Sequence, residues 1–207
     1  MTVPANLQDH WQRRYRENAE DTLSWYEAEP RMSLGLIRKL GAGPASSLID
    51  IGSGASHLVD ALLQAGWHDI AVLDLSNAGM SLARARLGAL GDPVSWIVAD
   101  VTQWQPERVY NIWHDRAAFH FLTEERDRAA YAERMKRALK PDGYAIIATF
   151  APDGPERCSG LPVVRYDSPA LVKILGAGLS LIESLPHEHR TPGGARQSFM
   201  FHVLQRQ

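Results

Sequence analysis

The chain has 207 residues, a length that fits one domain, and its 22 Lys+Arg against 24 Asp+Glu leave a formal net charge of −2. That balance excludes a dominant phosphate-binding face, so neither nucleic acid nor an anionic membrane is an expected partner. The 45% apolar fraction excludes a disordered chain, and the single cysteine, Cys158, excludes an intrachain disulfide framework or a cysteine-based structural zinc site.

The opening MTVPANLQDHWQRRY has no signal-peptide core, and no apolar run approaches the ~20 residues of a membrane span, so the expected location is the cytoplasm. Two amphipathic helices are expected over 7–18 and 31–40, joined by the aromatic-containing loop DTLSWYEAEP. They read as a lid over the sheet edge (1–44). Strand-length apolar runs follow at 47–51 (SLIDI), 70–75 (IAVLDL), 96–101 (WIVADV), 109–114 (VYNIWH) and 144–150 (YAIIATF). None alternates strictly, as befits strands buried on both faces of a parallel sheet. Helical segments lie between them: 56–65, ending at Gly66, and a helix capped by Ser76 and stopped by Gly88. The longest has Thr123 as its expected cap, acids Glu124 and Glu125 in its first turn, and Tyr131, Met135, Ala138 and Leu139 on one face. Lys140-Pro141-Asp142-Gly143 ends it. Two strand-like stretches, 179–190 and 198–206, are joined by TPGGAR as a hairpin. The expected fold is α/β: a doubly wound, Rossmann-like, seven-stranded and mostly parallel sheet with an antiparallel C-terminal hairpin and helices on both faces. One domain spans 1–207, with a cofactor-binding core at 45–150 and a substrate-side loop and hairpin at 151–207.

Ligands of open α/β sheets bind beyond the carboxyl ends of the strands. The first such end reads Asp50-Ile51-Gly52-Ser53-Gly54-Ala55-Ser56, and glycines two apart let the backbone turn sharply against a ligand. Asp74 tips the second strand, where a carboxylate can accept both hydroxyls of a ribose, and Asp100 ends the third. A nicotinamide dehydrogenase would want a third glycine where His57 stands.

These motifs, in order, resemble the class I S-adenosylmethionine-dependent methyltransferases over most of the chain. LIDIGSGAS is similar to their first motif, with Asp50 two before the first glycine. LDLS is similar to the second, with Asp74 as the ribose acid beside Leu75. ADVTQW is similar to the third, which implies Asp100 at the adenine amino group and Val101 against the ring. RALKPDGYAIIATF resembles the turn and fifth strand of the family. The resemblance implies S-adenosyl-L-methionine as cofactor, S-adenosyl-L-homocysteine as product and Gly52, Ser53 and Gly54 around the amino-acid end. The segment HWQRRYRENAEDTLSWYEAEP also resembles a W…W-[YF] entry of small bacterial methyltransferases and of elongation-factor lysine methyltransferases. It makes Trp25 and Tyr15 candidates for aromatic contact with sulfonium or substrate; their other reading, with Trp11, is as anchors for the lid helices.

In this fold the fourth strand end, Trp113-His114-Asp115-Arg116 onward to His120, faces the methyl group. His114, Asp115 and Arg116 are the catalytic candidates and His120 a substrate contact; alternatively Asp115 and Arg116 are an ion pair fixing the strand end and His120 packs on the next helix. The Gly- and Pro-rich loop 151–166 is a natural substrate wall, which brings in Cys158 and Arg165, though a lone cysteine also reads as a small buried apolar residue. His187 and His189 share a face but have no cluster suggesting a metal, so none is expected. The expected activity is methyl transfer by in-line displacement to a small-molecule thiol, amine or carboxylate, by a monomer or weak dimer. The alternatives are a protein-lysine methyltransferase, a non-catalytic nucleotide binder and a nicotinamide oxidoreductase.

Overall fold

Five apolar runs form the parallel part of a seven-stranded sheet in the computed structural model, which describes residues 7–207. The first six residues of the stretch read for a signal-peptide core lie outside the described residues. The parallel strands are β1 (Leu48–Ile51), β2 (Ile70–Asp74), β3 (Ser95–Val98), β4 (Tyr110–Arg116) and β5 (Leu139–Phe150). A short ribbon of β6 (Arg157–Cys158) and β7 (Leu161–Pro162) stands apart. The hairpin β8 (Leu179–Arg190) and β9 (Arg196–Arg206) joins antiparallel, giving the order β3-β2-β1-β4-β5-β9-β8. The chain winds outward from β1 to β3 and then returns to place β4 on β1's other side. That switch point between β1 and β4 is where such sheets open a crevice.

Strand parity sorts the core. Leu48, Val72, Ile112 and Ile146 face α2 (Arg31–Lys39), α3 (Leu58–Gln64) and α4 (Asn77–Leu87). Ile49, Leu73, Trp113 and Ile147 face α5 (Glu125–Ala138) and α6 (Ser168–Leu175). Helices therefore cover both faces, as the unbroken apolar strands require. Ser76 caps α4 as expected, accepting the Gly79 N–H at 3.2 Å, and Gly88 stops it at φ 52°.

Four local expectations differ. Glu124 rather than Thr123 occupies the cap position of α5. Residues 140–143 do not end the helix before the strand; they bulge within β5, between the Leu139–Tyr110 and Tyr144–Ile112 pairs, with Asp142 at φ 60°. α6 was not anticipated, although Asp167 caps it through the Ala170 N–H. Finally, the lid crosses the strand tips rather than the sheet edge. α1 (Leu7–Glu17) packs on α4, with the Gln12 side chain accepting the Ala78 N–H at 2.8 Å and Gln8 donating to the Leu75 carbonyl at 3.1 Å. The reason is local: Tyr15 fills a slot over Gly54 and Gly79, where any side chain would meet its ring.

Candidate functional site

The tip of β1 turns through Gly52 at φ 64° and Gly54 at φ 50°, a region that L side chains rarely adopt. Both glycines are also sterically required. A Cβ on Gly52 would lie 2.4 Å from Ala118 Cβ, and one on Gly54 would lie 1.9 Å from the Tyr15 hydroxyl. Asp74, at the neighbouring tip, stabilises this turn. It accepts the Gly54 N–H at 2.8 Å and the Ser76 N–H at 2.6 Å. Burial outweighs those donors and pushes its carboxyl up to about 6. Beyond β3, Asp100 closes an Asx turn by accepting from the Thr102 N–H and hydroxyl, at 2.8 and 2.7 Å.

These tips open into a crevice of about 820 Å³, within the range of small-ligand sites. Asp74, Leu75, Asp100, Val101, Thr102 and Gln103 line one end, and Trp11, Tyr15, Trp25, Arg116, Phe121 and Cys158 the other. The aromatic end is a packed unit: Trp25 meets Trp11 and Tyr15 edge to face at 5.7 and 5.9 Å, and Trp11 meets Phe121 at 5.0 Å. Burial raises the Tyr15 phenol far above its ordinary value and the Cys158 thiol to about 11, so both are neutral at physiological pH.

On the far side of the glycine turn lies a small chamber of about 40 Å³, lined by Ser33, Asp50, Ser53, His114 and Arg116. Asp50 Oδ1 lies 2.6 Å from His114 Nδ1, and His114 Nε2 lies 2.8 Å from the Ser33 hydroxyl. A carboxylate can only accept, so Nδ1 carries the proton, and in the neutral ring Nε2 accepts from Ser33. Asp50 Oδ2 is buried and has no hydrogen-bond partner among the described residues. An unpaired carboxylate oxygen beside a polar chamber suits a cationic donor such as the ammonium of an amino acid.

Parity along β4 separates the three catalytic candidates. His114 turns to the chamber with Asp50, and Arg116 reaches both spaces. Asp115 faces the opposite side, wholly buried, and lines neither. It accepts the Ala118 and Phe119 N–H groups and the Tyr131 hydroxyl. Burial pushes it to about 6, opposed by those same donors. The expected catalytic role for Asp115 is corrected: it shapes the turn after β4.

Arg116 holds the lid. Its guanidinium donates to the Trp25 carbonyl at 2.9 Å, pairs with Glu27 at 2.9 Å and lies over the Phe199 ring. Glu27 also approaches His187 and His189 at 3.7 and 3.4 Å, and His189 Nε2 is 2.8 Å from the Ser24 carbonyl. Burial opposes the ionisation of Glu27, but the two histidines and Arg116 prevail and hold it well below the usual carboxylate range. Two further expectations are corrected. His120 is wholly buried between Phe121 and Phe150, and burial drives it down to about 3; it is a core residue. Arg165 bonds within its own loop, to the Gly154 carbonyl and Glu156 at 3.2 Å each, and lines neither space. Ser33, Glu27 and Phe121 were not foreseen, because only the fold brings them to the site. Among the described residues no His/Cys/Asp/Glu group could hold a metal, and no helix is long and apolar enough to cross a membrane.

A methyltransferase-domain family model matches residues 48–143, the stretch from β1 to the bulge of β5. Malonyl-[acyl-carrier protein] O-methyltransferase of Anoxybacillus flavithermus is 22% identical over 140 residues, which are 67% of this chain and 52% of that protein. The eEF1A lysine and N-terminal methyltransferase of Mus musculus is 23% identical over 121 residues, 58% of this chain and 17% of that protein. The chain thus spans about half the length of the first of these relatives, and less of the second. Among solved structures, the 1,6-didemethyltoxoflavin-N1-methyltransferase of Burkholderia thailandensis, with bound 1,6-didemethyltoxoflavin and S-adenosylhomocysteine, has the same fold. It superposes with a TM-score of 0.73 at 19% identity, covering 100% of this chain and 91% of that one. Strand order, glycine turn and matched stretch agree: residues 48–143 match a methyltransferase domain, and the chain has the Rossmann-like fold of the class I methyltransferases it resembles.

Proposed function

We propose that the acceptor is a small molecule bound under the lid, next to a cofactor held along the strand tips. One observation carries the proposal: a single crevice runs from Asp74, Asp100 and Val101 to Trp11, Tyr15, Trp25 and Cys158. Asp74 accepts from the ribose hydroxyls with the lone pairs that Gly54 and Ser76 leave free. Asp100 takes the adenine amino group, with Leu75 and Val101 against the ring. Gly52, Ser53 and Gly54 bring backbone close to the amino-acid end, and the unpaired Oδ2 of Asp50 receives its ammonium. His114, fixed between Asp50 and Ser33, orients that carboxylate. S-adenosylmethionine, when bound, supplies an electrophilic methyl carbon on a sulfonium. The lid excludes water and, through the indole of Trp25, offers a π face to positive charge, worth roughly 0.5–2 kcal/mol. Arg116 positions Trp25 by holding its carbonyl. Alignment of acceptor and methyl in a near-attack geometry accounts for the largest part of the acceleration, about 7–11 kcal/mol where orientation is complete.

A second reading, protein-lysine methylation, draws on the similarity to the mouse enzyme and on the aromatic lid. A lysine would favour an acidic rim, whereas at the described rim Arg126 stands 3.5 Å from Asp127. Titration calorimetry tests the proposal. S-adenosylhomocysteine binding, together with transfer of label from tritiated S-adenosylmethionine to small molecules of a cell extract, is the expected result. Label confined to protein would establish the second reading, and NADH binding without S-adenosylhomocysteine binding would end both.

A further inference from the structure

Arg86 stands in the last turn of α4 and borders neither the crevice nor the chamber. Yet all five N–H donors of its guanidinium are used. Nε and Nη2 each donate to one oxygen of Asp60, on α3, at 2.8 Å. Nη1 donates to Glu20 at 2.7 Å and to the Ala55 carbonyl at 3.3 Å. The second donor of Nη2 reaches the Ser56 carbonyl at 2.9 Å. Ala55 and Ser56 directly follow Gly54, and the Ser56 N–H closes the turn by donating to the Ser53 carbonyl at 2.8 Å. Arg86 therefore fastens the end of the glycine turn from behind, while its bond to Glu20 reaches across to the lid.

That part of the lid covers the chamber. Glu20, Leu23, Trp25, Tyr26 and Glu27 line it from one side, and Asp50, Gly52, Ser53 and His114 from the other. Glu20 is tied twice, for its other oxygen lies 2.7 Å from His57 Nε2, and the His57 ring meets Tyr26 edge to face at 5.4 Å. At the far end, Glu27 pairs with Arg116 and approaches His187 and His189. Residues 21–26, Trp25 among them, are thus strung between two carboxylates, each held by an arginine with histidine beside it. The Arg86 pairs are largely buried, so salt screens them little. The apolar hold at the same end is Leu23, which packs with Tyr15 and Ala55.

Resting on the methyltransferase reading, we propose that Arg86 is a positioning residue for the cofactor. By holding Glu20 and the Ala55 and Ser56 carbonyls on one guanidinium, it links closure of the lid over the chamber to the shape of the glycine turn beneath. It touches neither cofactor nor acceptor. With the link cut, the closed arrangement is populated less, and apparent cofactor affinity falls by the fraction of molecules still competent to bind. Lysine cannot stand in, because a point charge with three donors does not span the four groups that a planar fork with five donors reaches.

The test combines calorimetry with S-adenosylhomocysteine and chymotryptic cleavage located by mass spectrometry. In the parent, the ligand should protect the stretch from Leu23 to Tyr26. Arg86→Lys and Glu20→Ala, each shown to be folded by circular dichroism, should bind about tenfold more weakly. Without ligand, both should be cut in that stretch at least about threefold faster than the parent. The double variant should bind no more weakly than the worse single one, because both changes remove the same link. A loss of stability alone would lower the melting temperature and leave the affinity of the folded protein and the local cleavage unchanged. That result, or losses that simply add in the double variant, overturns the proposal and leaves the lid held by Leu23. If Arg86→Lys does not fold, Glu20→Ala decides, since it leaves Arg86 on Asp60 and on the turn carbonyls. Failure of the parent to bind S-adenosylhomocysteine would instead remove the methyltransferase reading, and this role with it.

Discussion

The tips of β2 and β4 are built alike and face different worlds. β2 ends in Asp74 and β4 carries Asp115 one residue before its end, and both accept backbone N–H groups, Asp74 from Gly54 and Ser76, Asp115 from Ala118 and Phe119. Each is raised to about 6 by burial. Yet Asp74, 7% exposed, borders the crevice, while Asp115, at 0%, has the Tyr131 hydroxyl as a further donor and lines no space. A perturbed carboxylate at a strand tip is therefore no guide to a site by itself. What distinguishes the two is whether lone pairs remain directed at an opening.

The contrast can be broken most violently at the glycine turn that Asp74 supports. Gly54→Val should displace Tyr15, force a strained φ and reduce S-adenosylhomocysteine affinity by on the order of a hundredfold, since misfit backbone and lost packing each cost roughly 1–3 kcal/mol. A calorimetric affinity within a factor of three of the parent would show that the turn does not touch the ligand. Next, Asp74→Ala should weaken binding about tenfold to a hundredfold, through charge-assisted hydrogen bonds of ~1.5–3 kcal/mol.

Asp115→Asn sharpens the comparison from the other side: it should leave that affinity unchanged and alter stability instead. An acid whose folded pKa is raised from 3.8 to about 6 binds more protons folded than unfolded between those values. Its contribution to stability is present in acid and declines as pH rises through that window. Relative to Asp115→Asn, the parent should lose on the order of 2–3 kcal/mol between about pH 4 and pH 8, read from urea unfolding at each pH. A difference independent of pH would mean that Asp115 is not the buried acid described here. Smaller effects belong to the lid, where Trp25→Phe should cost turnover about threefold and Trp25→Ala about tenfold. Arg165→Ala should change neither binding nor turnover; a measurable loss would return that side chain to the substrate wall.

The same contrast explains what the sequence disclosed. The mostly parallel sheet, the terminal hairpin and the placement of Asp50 to Gly54, Asp74 and Asp100 at the first three strand tips were legible, because each of these lies at or within a few residues of a strand end. The tip of β4 was not. A strand sends neighbours to opposite faces, so Asp115 could never converge with His114 and Arg116, and the mostly apolar run before them gave no sign of which parity faces the crevice. Arg165 misled because its partners are in its own loop. Glu27 and Ser33 reach the site only through contacts with β4 and β8, residues distant in the chain. α6 did carry a signal, Asp167-Ser168-Pro169, a cap followed by a proline in the first turn. The lid's position depended on Gly54 and Gly79 together opening a slot for Tyr15, a relation between three distant places in the sequence.

The most direct measurement is the pH dependence of S-adenosylhomocysteine affinity by calorimetry, with the parent compared to Asp74→Asn. If Asp74 accepts from the ribose as a carboxylate, its protonation near pH 6 removes acceptor strength, so parent affinity should fall as pH drops through about 6 while the weaker variant stays flat there. Parallel curves of equal affinity would contradict the account, for they would mean that the nucleoside does not rest on the tip of β2.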